Sequence, residues 1–217
     1  MTDIIEPTRP EEIEARSFAI IEEEAGRSRP FAGAEWLVVR RMIHTSADFQ
    51  LLDLVRFHPG AVRAAIKALR RGCLVVTDTE MARAGVSSGR LERLGCRAAC
   101  YIREPVVAER ARREGTTRSS AAVDHALPEL DGAVYVVGNA PTALLRLLRL
   151  VDEKACTPAL VIGMPVGFVN AAESKDLLAR QDRVPYITVR GRKGGSPLAA
   201  AALNQLSLLA LEAGDAI

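Results

Sequence analysis

The feature that most constrains the fold is a series of five short apolar segments that alternate with helical segments after residue 72. The apolar segments are residues 73–77, 98–102, 133–137, 159–163 and 186–189. Each is almost continuously apolar, as expected of strands that are buried on both faces. Segments with helical spacing lie at residues 79–84, 105–113, 141–153, 171–181 and 197–212. The alternation predicts an α/β fold with a doubly wound, parallel, five-stranded sheet.

Three further helices are predicted before the first strand. Residues 10–27 carry apolar side chains at helical spacing among many glutamates, and Gly26 is suited to end that helix. Residues 34–45 form the second candidate, with His44 in its last turn, and residues 59–71 form the third, which Gly72 ends. We expect residues 1–9 to be a flexible N-terminus. Because no linker or repeat divides the sequence, we expect residues 1–217 to form a single domain.

The composition is that of a folded globular protein. Of the 217 residues, 48% are hydrophobic and 26% are charged, which argues against disorder over most of the chain. The first residues carry acids and prolines where a secretion signal needs a basic start and an apolar run. The apolar segments are too short, or too interrupted by polar residues, to span a bilayer. These features predict a cytoplasmic protein with no membrane partner.

The four cysteines do not form a recognisable metal-binding motif. Cys73, Cys96, Cys100 and Cys156 lack the paired CxxC spacing of a zinc knuckle. The sequence also contains no HExxH motif, and no clustered carboxylate ladder suggests a metal. We therefore predict no metal site and interpret the cysteines as buried free thiols, which fits a reducing cytoplasm.

The basic residues are dominated by arginine. The formal net charge is +2, and only four of the 29 basic residues are lysine. Guanidinium groups suit carboxylates and phosphates, so the bias fits a polyanionic ligand, although high-GC genomic composition explains it equally well. Aromatic residues make up only 4% of the chain, and no basic block is interleaved with them. We therefore predict no nucleic-acid partner.

Three loops could hold an anion. Residues 138–142 offer a glycine, a potential N-cap and an early proline at a helix start, and residues 191–197 combine two cations with a flexible backbone. Residues 115–120 supply hydroxyl groups and one guanidinium. A helix cap or a solvated turn explains each loop without a ligand. None of the loops matches a dinucleotide fingerprint or a P-loop.

Three histidines are candidates for proton transfer. His58 precedes a proline at a helix start, and His125 lies among alanine and aspartate on a surface helix, so both are interpreted as structural or exposed. His44 has two arginines and two hydroxyl residues as close neighbours in the sequence. It can exchange protons near neutral pH, but a histidine near a helix C-terminus is also a common partner of the helix dipole. The sequence has no G-x-S-x-G motif, and residue spacing alone does not indicate a reaction.

Several segments together resemble the precorrin-8X methylmutase family, known also in its cobalt-precorrin-8 form. The matching strings are ARSFAII (15–21), RMIH (41–44), TRS (117–119), GNAPTAL (138–144), GMPVGFV (163–169), AAESK (171–175) and RGR with GGS (190–196). They run in order along nearly the whole chain. Their combination is far more specific than any single loop.

The resemblance implies a flavodoxin-like parallel sheet with extra N-terminal helices, a homodimer, and no metal or organic cofactor. It also implies an isomerase of cobalamin biosynthesis that acts on a tetrapyrrole. In this reaction a methyl group migrates from C-11 to C-12 of precorrin-8X or cobalt-precorrin-8, which gives hydrogenobyrinate or its cobalt counterpart. No methyl donor is consumed.

The resemblance also implies roles for individual residues. By position, His44 matches the catalytic histidine, which is expected to protonate the conjugated ring system of the substrate. Ser17 and Arg41 match positions that contact the substrate. Arg118 and the backbone around Asn139 and Gly194 are further expected contacts for substrate carboxylates.

Two alternatives remain open at the level of sequence. A corrinoid-binding carrier without catalytic turnover would share the binding residues. An ordinary flavodoxin-like nucleotide or flavin binder would share the sheet, although the missing phosphate fingerprint counts against it. The sequence also leaves open whether the substrate already contains cobalt.

Overall fold

The computed structural model describes residues 9–212, and these residues form an α/β structure, as the sequence predicts. The expected flexible N-terminus, residues 1–9, lies outside the described residues except for Arg9. Among the described residues, no helix combines the length and the apolar character that a membrane crossing requires. In the same range, no three His, Cys, Asp or Glu side chains gather as a set of metal ligands.

The described residues form eleven α-helices and six strands. The helices are α1 (Pro10–Ala25), α2 (Gly33–Ser46), α3 (Leu51–Leu54), α4 (Ala61–Arg70), α5 (Glu80–Gly85), α6 (Ser88–Arg93), α7 (Pro105–Glu114), α8 (Arg118–Ala126), α9 (Pro141–Asp152), α10 (Ala171–Arg180) and α11 (Ser196–Glu212). The strands are β1 (Val55–Phe57), β2 (Leu74–Thr77), β3 (Arg97–Ala99), β4 (Val134–Val137), β5 (Leu160–Gly163) and β6 (Tyr186–Val189).

The strands form one sheet in the order β1-β6-β5-β4-β2-β3. Strands β2 to β6 are parallel to their neighbours, whereas β1 pairs antiparallel with β6 at the edge of the sheet. The chain crosses from β2 to β3 on one side and then returns to place β4 on the other side of β2. The direction of winding therefore reverses between β2 and β4.

The predicted number of strands, five, is wrong because the sheet has six. The additional strand, β1, has only three residues, and Arg56 and Phe57 within it are half-buried. Such a short segment has no readable period in the sequence. It becomes a strand because the exposed edge of β6 offers unpaired backbone groups, with Val55 paired to Val189 and Phe57 to Ile187.

The two faces of the sheet are covered by different helices. On one face, the inward side chains of the strands pack against α2, α4 and α11. On the other, alternate residues of the same strands pack against α8, α9 and α10. In β4, for example, Val134 and Val136 face the first group, whereas Tyr135 and Val137 face the second. Burial of both faces explains why the strands lack an alternating polar pattern.

The predicted N-terminal helices are present with small shifts at their ends. The first helix ends at Ala25, and Gly26 follows it with φ +66°. The second places His44 in its last turn, as predicted. The third begins at Ala61, two residues later than predicted, because Gly60 adopts φ +82° and starts the helix. Helix α6 was not predicted, and β3 ends at Ala99 instead of residue 102.

Candidate active site

The loops at the carboxyl ends of the parallel strands are tied to one another. The loop between β4 and α9, residues 138–140, packs so closely on the start of α11 that a Cβ on Gly138 would lie 2.6 Å from Cα of Ser196. The hydroxyl groups of Thr79, after β2, and Ser196 are 3.0 Å apart. This edge therefore holds three loops in fixed relation, at the place where ligands bind to doubly wound sheets.

The loop between β6 and α11, residues 190–195, connects this edge to the end of α2. Lys193 Nζ donates a hydrogen bond of 2.5 Å to Asp48 Oδ2. Asp48 lies just beyond the last turn of α2, which contains His44. The loop thus brings the carboxyl edge of the sheet next to the candidate catalytic histidine.

His44 is half-buried at the C-terminal end of α2. Its ring lies against Phe18 of α1, with ring centroids 5.1 Å apart and planes inclined at 56°. Its ring nitrogens form no hydrogen bond within residues 9–212. A histidine whose ring is held by packing while its nitrogens stay free is able to give or take a proton from a ligand.

The two arginines that precede His44 are both paired with acids of α1. Arg40 Nη1 lies 2.9 Å from Glu22 Oε1, and Arg41 forms an ion pair with Glu14. The hydrogen bond from Arg41 holds the pKa of Glu14 below its ordinary value. Each guanidinium therefore has an anionic partner in α1, although Arg40 shares Glu22 with Arg29.

Phe18 joins these groups into one cluster. The guanidinium carbon of Arg40 lies 4.3 Å from the ring centroid of Phe18, and that of Arg41 lies 4.8 Å from it. The ring therefore packs against both cations and against His44. Phe18 was not among the site residues expected from the sequence, although it lies within the ARSFAII string. Its signal would have been the helical spacing that turns it towards α2.

Arg41 is less accessible than a surface arginine. Its side chain is 15% exposed, and Arg41 Nε donates a hydrogen bond of 3.3 Å to Gln205 Oε1 of α11. A substrate carboxylate would therefore have to share Arg41 with Glu14.

Ser17 is half-buried on α1, beside Phe18. Its Oγ donates a hydrogen bond of 2.8 Å to the carbonyl of Ile13 within the helix. The lone pairs of this oxygen stay available to a donor. The structure thus places Ser17, Arg41 and His44 together, on facing parts of α1 and α2.

Arg118 and Asn139 lie at the starts of neighbouring helices. Thr117 Oγ1 donates to Thr142 Oγ1 over 2.9 Å, which holds the start of α8 beside the start of α9. Arg118 is exposed and makes no ion pair within the described residues. The side chain of Asn139 is also exposed. Both side chains therefore face solvent near the carboxyl edge.

The backbone around Asn139 is already occupied by a side chain of the protein. The N–H groups of Gly138, Asn139 and Ala140 donate hydrogen bonds of 2.8, 2.9 and 2.7 Å to the carboxylate of Asp78. The expected backbone contact with a substrate carboxylate does not fit this arrangement. The side chain of Asn139 is the part that remains accessible. The sequence signal for Asp78 was an acid placed directly after a buried strand.

Gly194 has a packing reason to be glycine. A Cβ at this position would lie 2.3 Å from the carbonyl oxygen of Met164 and 2.6 Å from that of Pro165. The next residue, Gly195, donates its N–H to the Met164 carbonyl over 2.9 Å. The N–H of Gly194 itself forms no hydrogen bond within residues 9–212, so it stays available to a ligand.

Lys175 of α10 holds the loop between β6 and α11 in place. Its side chain is buried, and its ammonium group donates to the carbonyl oxygen of Lys193. Burial lowers the pKa of Lys175 to about 8. Lys175 lies in the AAESK string, but no role for it was expected from the sequence.

An apolar rim borders the site. Phe168 is 82% exposed and Val169 is 78% exposed, both in the loop after β5. The guanidinium carbon of Arg192 lies 5.3 Å from the ring centroid of Phe168. Exposed apolar side chains of this size are typical of surfaces that contact a ligand or another subunit.

The remaining histidines and the cysteines lie away from this cluster. The ring of His58 packs against Tyr186, and that of His125 packs against Tyr101. All four cysteines are free, with Cys96 and Cys156 buried and Cys73 and Cys100 half-buried. The cavities of about 850 Å³ beside α4 and about 670 Å³ beside α6 do not reach His44. The candidate site, with its half-buried Ser17 and His44, therefore lies outside these two cavities.

Comparison with known proteins assigns the family. A family model described as precorrin-8X methylmutase matches residues 12–209. A cobalt-precorrin-8 methylmutase of Priestia megaterium is 48% identical over 202 residues, which cover 93% of this chain and 89% of the relative. A precorrin-8X methylmutase of Pseudomonas aeruginosa is 46% identical over 193 residues, which cover 88% of this chain and 92% of the relative.

A solved structure agrees with this assignment. The crystal structure of a precorrin-8X methylmutase from Thermus thermophilus superimposes with a TM-score of 0.87 at 46% sequence identity, and the match covers 94% of this chain and 98% of the other. These relatives are named methylmutases, which are enzymes that transfer a methyl group within one molecule. The chain therefore belongs to the precorrin-8X methylmutase family.

Proposed function

We propose that this enzyme moves a methyl group from C-11 to C-12 of precorrin-8X or cobalt-precorrin-8, with His44 as the general acid. The observation that carries the proposal is that packing holds the ring of His44 while its nitrogens remain free to contact a ligand. Its ring is held by Phe18 at a centroid distance of 5.1 Å, whereas its nitrogens have no hydrogen-bond partner among the described residues. A proton on this ring is free to be transferred to a ligand.

The chemistry requires one acid and no methyl donor. Protonation of the conjugated macrocycle by His44 makes the ring electron-poor, which favours migration of the methyl group to the neighbouring carbon. The proton is returned when conjugation is restored, so substrate and product are isomers. Proton transfer of this kind contributes about 10²–10⁴-fold to a rate.

The surrounding residues suit a ligand with many carboxylates. Arg118 offers an exposed guanidinium with no ion-pair partner among residues 9–212, and Asn139 offers an amide on the same edge. Ser17 and Arg41 lie beside His44, and the free N–H of Gly194 lies on the loop that reaches the end of α2. We propose that these groups hold acetate and propionate side chains of the tetrapyrrole while His44 acts.

We further propose that the enzyme works as a homodimer in the cytoplasm, with residues 1–217 as one domain. The exposed side chains of Phe168 and Val169 support a second subunit that completes the cleft. The free thiols fit a reducing compartment. We also propose a flavodoxin-like sheet, because the five parallel strands have the spatial order 2-1-3-4-5 of that group, with β1 as an added edge. A monomer by light scattering would contradict the dimer.

The test of function is conversion by variants of His44. We expect His44→Asn to keep its fold and bind precorrin-8X, but to convert it at least about 100-fold more slowly, because the acid is lost. Absorbance spectra follow the change from precorrin-8X to hydrogenobyrinate. His125→Asn, at an exposed histidine packed on Tyr101, is the matched control and should turn over normally. Turnover of His44→Asn within threefold of the wild type would refute the role of His44.

The same spectra separate an enzyme from a corrinoid carrier. A carrier gives only a binding shift that saturates at one ligand per site, whereas an enzyme converts many equivalents. Precorrin-8X and cobalt-precorrin-8 should be assayed side by side, since relatives named for each substrate have similar identity, 46% and 48%. The preferred substrate is the one with the higher kcat/KM.

A further inference from the structure

Asp78 is a buried carboxylate at the centre of the carboxyl edge. It directly follows β2 and is 2% exposed. Its Oδ1 accepts the N–H of Gly138, and its Oδ2 accepts the N–H groups of Asn139 and Ala140, over 2.7–2.9 Å. Its own N–H donates to the carbonyl of Val136. Both carboxylate oxygens are therefore used to hold the loop that precedes α9.

No side-chain cation of the described residues balances the charge of Asp78. It forms no salt bridge within residues 9–212, and its partners are the three backbone N–H groups. These groups lie immediately before α9, a helix of 12 residues with Ala140 as its N-cap, whose positive end favours a nearby anion. Burial raises the pKa of Asp78, and the three hydrogen bonds act in the opposite direction. The helix end thus serves as the counter-charge.

The hydrogen bonds between Asp78 and residues 138–140 lie where the winding of the sheet reverses. The winding reverses between β2 and β4, and Asp78 follows the first of these strands while the three N–H groups follow the second. In doubly wound proteins this crevice is the usual ligand site, where a phosphate lies on the N-terminus of a helix. In this chain, a carboxylate of the protein takes that place.

We propose that Asp78 is an internal anion that fills the phosphate position of the sheet and positions the loop of residues 138–140 for substrate. The substrate is thereby directed away from the switch point and towards His44. The part of this inference that concerns the substrate rests on the proposed function. The part that concerns the anion position does not, because it depends only on the hydrogen bonds of Asp78.

The loop that Asp78 holds touches other parts of the site. Gly138 packs on the backbone of Ser196, which begins α11, and α11 also carries Gln205, the hydrogen-bond partner of Arg41. With its N–H bound to Asp78, Asn139 keeps only its side chain for a ligand. Asp78 is therefore a positioning residue that acts through the backbone, without touching the reacting atoms.

The first test removes the carboxylate and supplies a small anion. Asp78→Gly should melt several degrees lower than the wild type and should recover at least half of that loss in saturating sodium formate, which fits the vacated space. The wild type should show no such response. Asp131→Gly is the control, because Asp131 is an exposed acid that accepts a single backbone N–H, from Thr157 over 2.6 Å. Equal responses of Asp78→Gly and the control to formate would overturn the proposal.

A second variant covers the case in which Asp78→Gly does not fold. Asp78→Asn keeps the shape but turns an NH₂ group towards the backbone donors. Amide hydrogen exchange at residues 138–140 should be at least tenfold faster in Asp78→Asn than in the wild type. Unchanged protection of these amides would overturn the proposal.

The separate effects of Asp78→Asn on KM and kcat distinguish a positioning role from a general loss of stability. For Asp78→Asn we expect KM for precorrin-8X to rise more than kcat falls, because the loop contacts substrate while His44 is intact. An unchanged KM would refute the positioning role. If the wild type converts neither substrate, the proposed function fails, but the formate and exchange results still decide whether Asp78 fills the anion position.

Discussion

Replacement of Gly194 by alanine should destabilise the protein and displace the loop between β6 and α11. The new Cβ would lie 2.3 Å from the carbonyl oxygen of Met164 and 2.6 Å from that of Pro165, although real Cβ atoms essentially never approach closer than 3.0 Å. The shortfalls of 0.7 and 0.4 Å involve backbone atoms, so no side-chain rotation relieves them. The loop has to move as a unit.

The expected cost follows from overpacking. Extra atoms in a closely packed place cost about 1–3 kcal/mol, which for a chain of this size lowers Tm by about 2–12 °C. The shift also has a functional consequence. Because Lys193 binds Asp48 beside the end of α2, movement of the loop should reach His44 and lower kcat/KM.

The assay is thermal unfolding followed by circular dichroism, together with conversion of precorrin-8X. Gly89→Ala is the control, because a Cβ on Gly89 meets nothing within 4 Å and the residue lies in α6. Its Tm should stay the same or rise slightly, since alanine favours helices. A Gly194→Ala protein with the Tm of the wild type would show that the close approach does not require glycine.

Three further predictions concern charge and packing near the site. Burial lowers the pKa of Lys175 from 10.5 to about 8, so between pH 8 and pH 10.5 the unfolded chain binds one more proton than the folded chain. The free energy of unfolding should therefore rise with pH in this range. Lys175→Met should abolish the rise, as measured by urea unfolding at pH 7.5 and pH 10. The hydrogen bond from Arg41 lowers the pKa of Glu14 from 4.5, so the stability difference between wild type and Glu14→Gln should be fully present at pH 7 and should shrink as pH falls from 4.5 through the lowered pKa. A difference that does not shrink at all between pH 7 and pH 3 would contradict the pairing. Phe18→Leu removes the ring that orients His44, so turnover should fall about tenfold while Tm changes by less than about 4 °C; turnover equal to that of the wild type would refute this role.

Residue patterns were sufficient to predict the parallel strands and the longer helices, though not the short helices α3 and α6, because spacing and propensity within each segment already favour the element that forms. Five nearly continuous apolar segments predicted buried strands, and the structure places them in one parallel sheet, in which the edge strand β3 is only partly buried. The last turn of α2 also held His44 as predicted, since helical spacing and the end of the helix are both local features. For these elements, the preferences of the local sequence and the tertiary structure lead to the same result.

The arrangement of the candidate site was only partly predictable. His44, Ser17 and Arg41 were selected by resemblance, and the structure brings His44 and Arg41 together through Phe18, the residue that follows Ser17 in α1. The occupation of the Asn139 backbone by Asp78 could not be foreseen, because the two segments are 61 residues apart and meet only across β2 and β4. A helix start with free N–H groups looks the same in sequence whether its anion comes from a ligand or from the protein.

Residue patterns and motifs were enough to give the α/β class, the alternation of elements and the methylmutase family. The folded chain was needed to show that β1 extends the sheet, that Gly194 lies against the backbone of Met164 and Pro165, and that Asp78 binds the N–H groups that precede α9. The physical reason is the same in each case. Periodicity and propensity act between near neighbours, whereas edge pairing, close backbone approach and the choice of a counter-charge depend on groups that only the folded chain brings together.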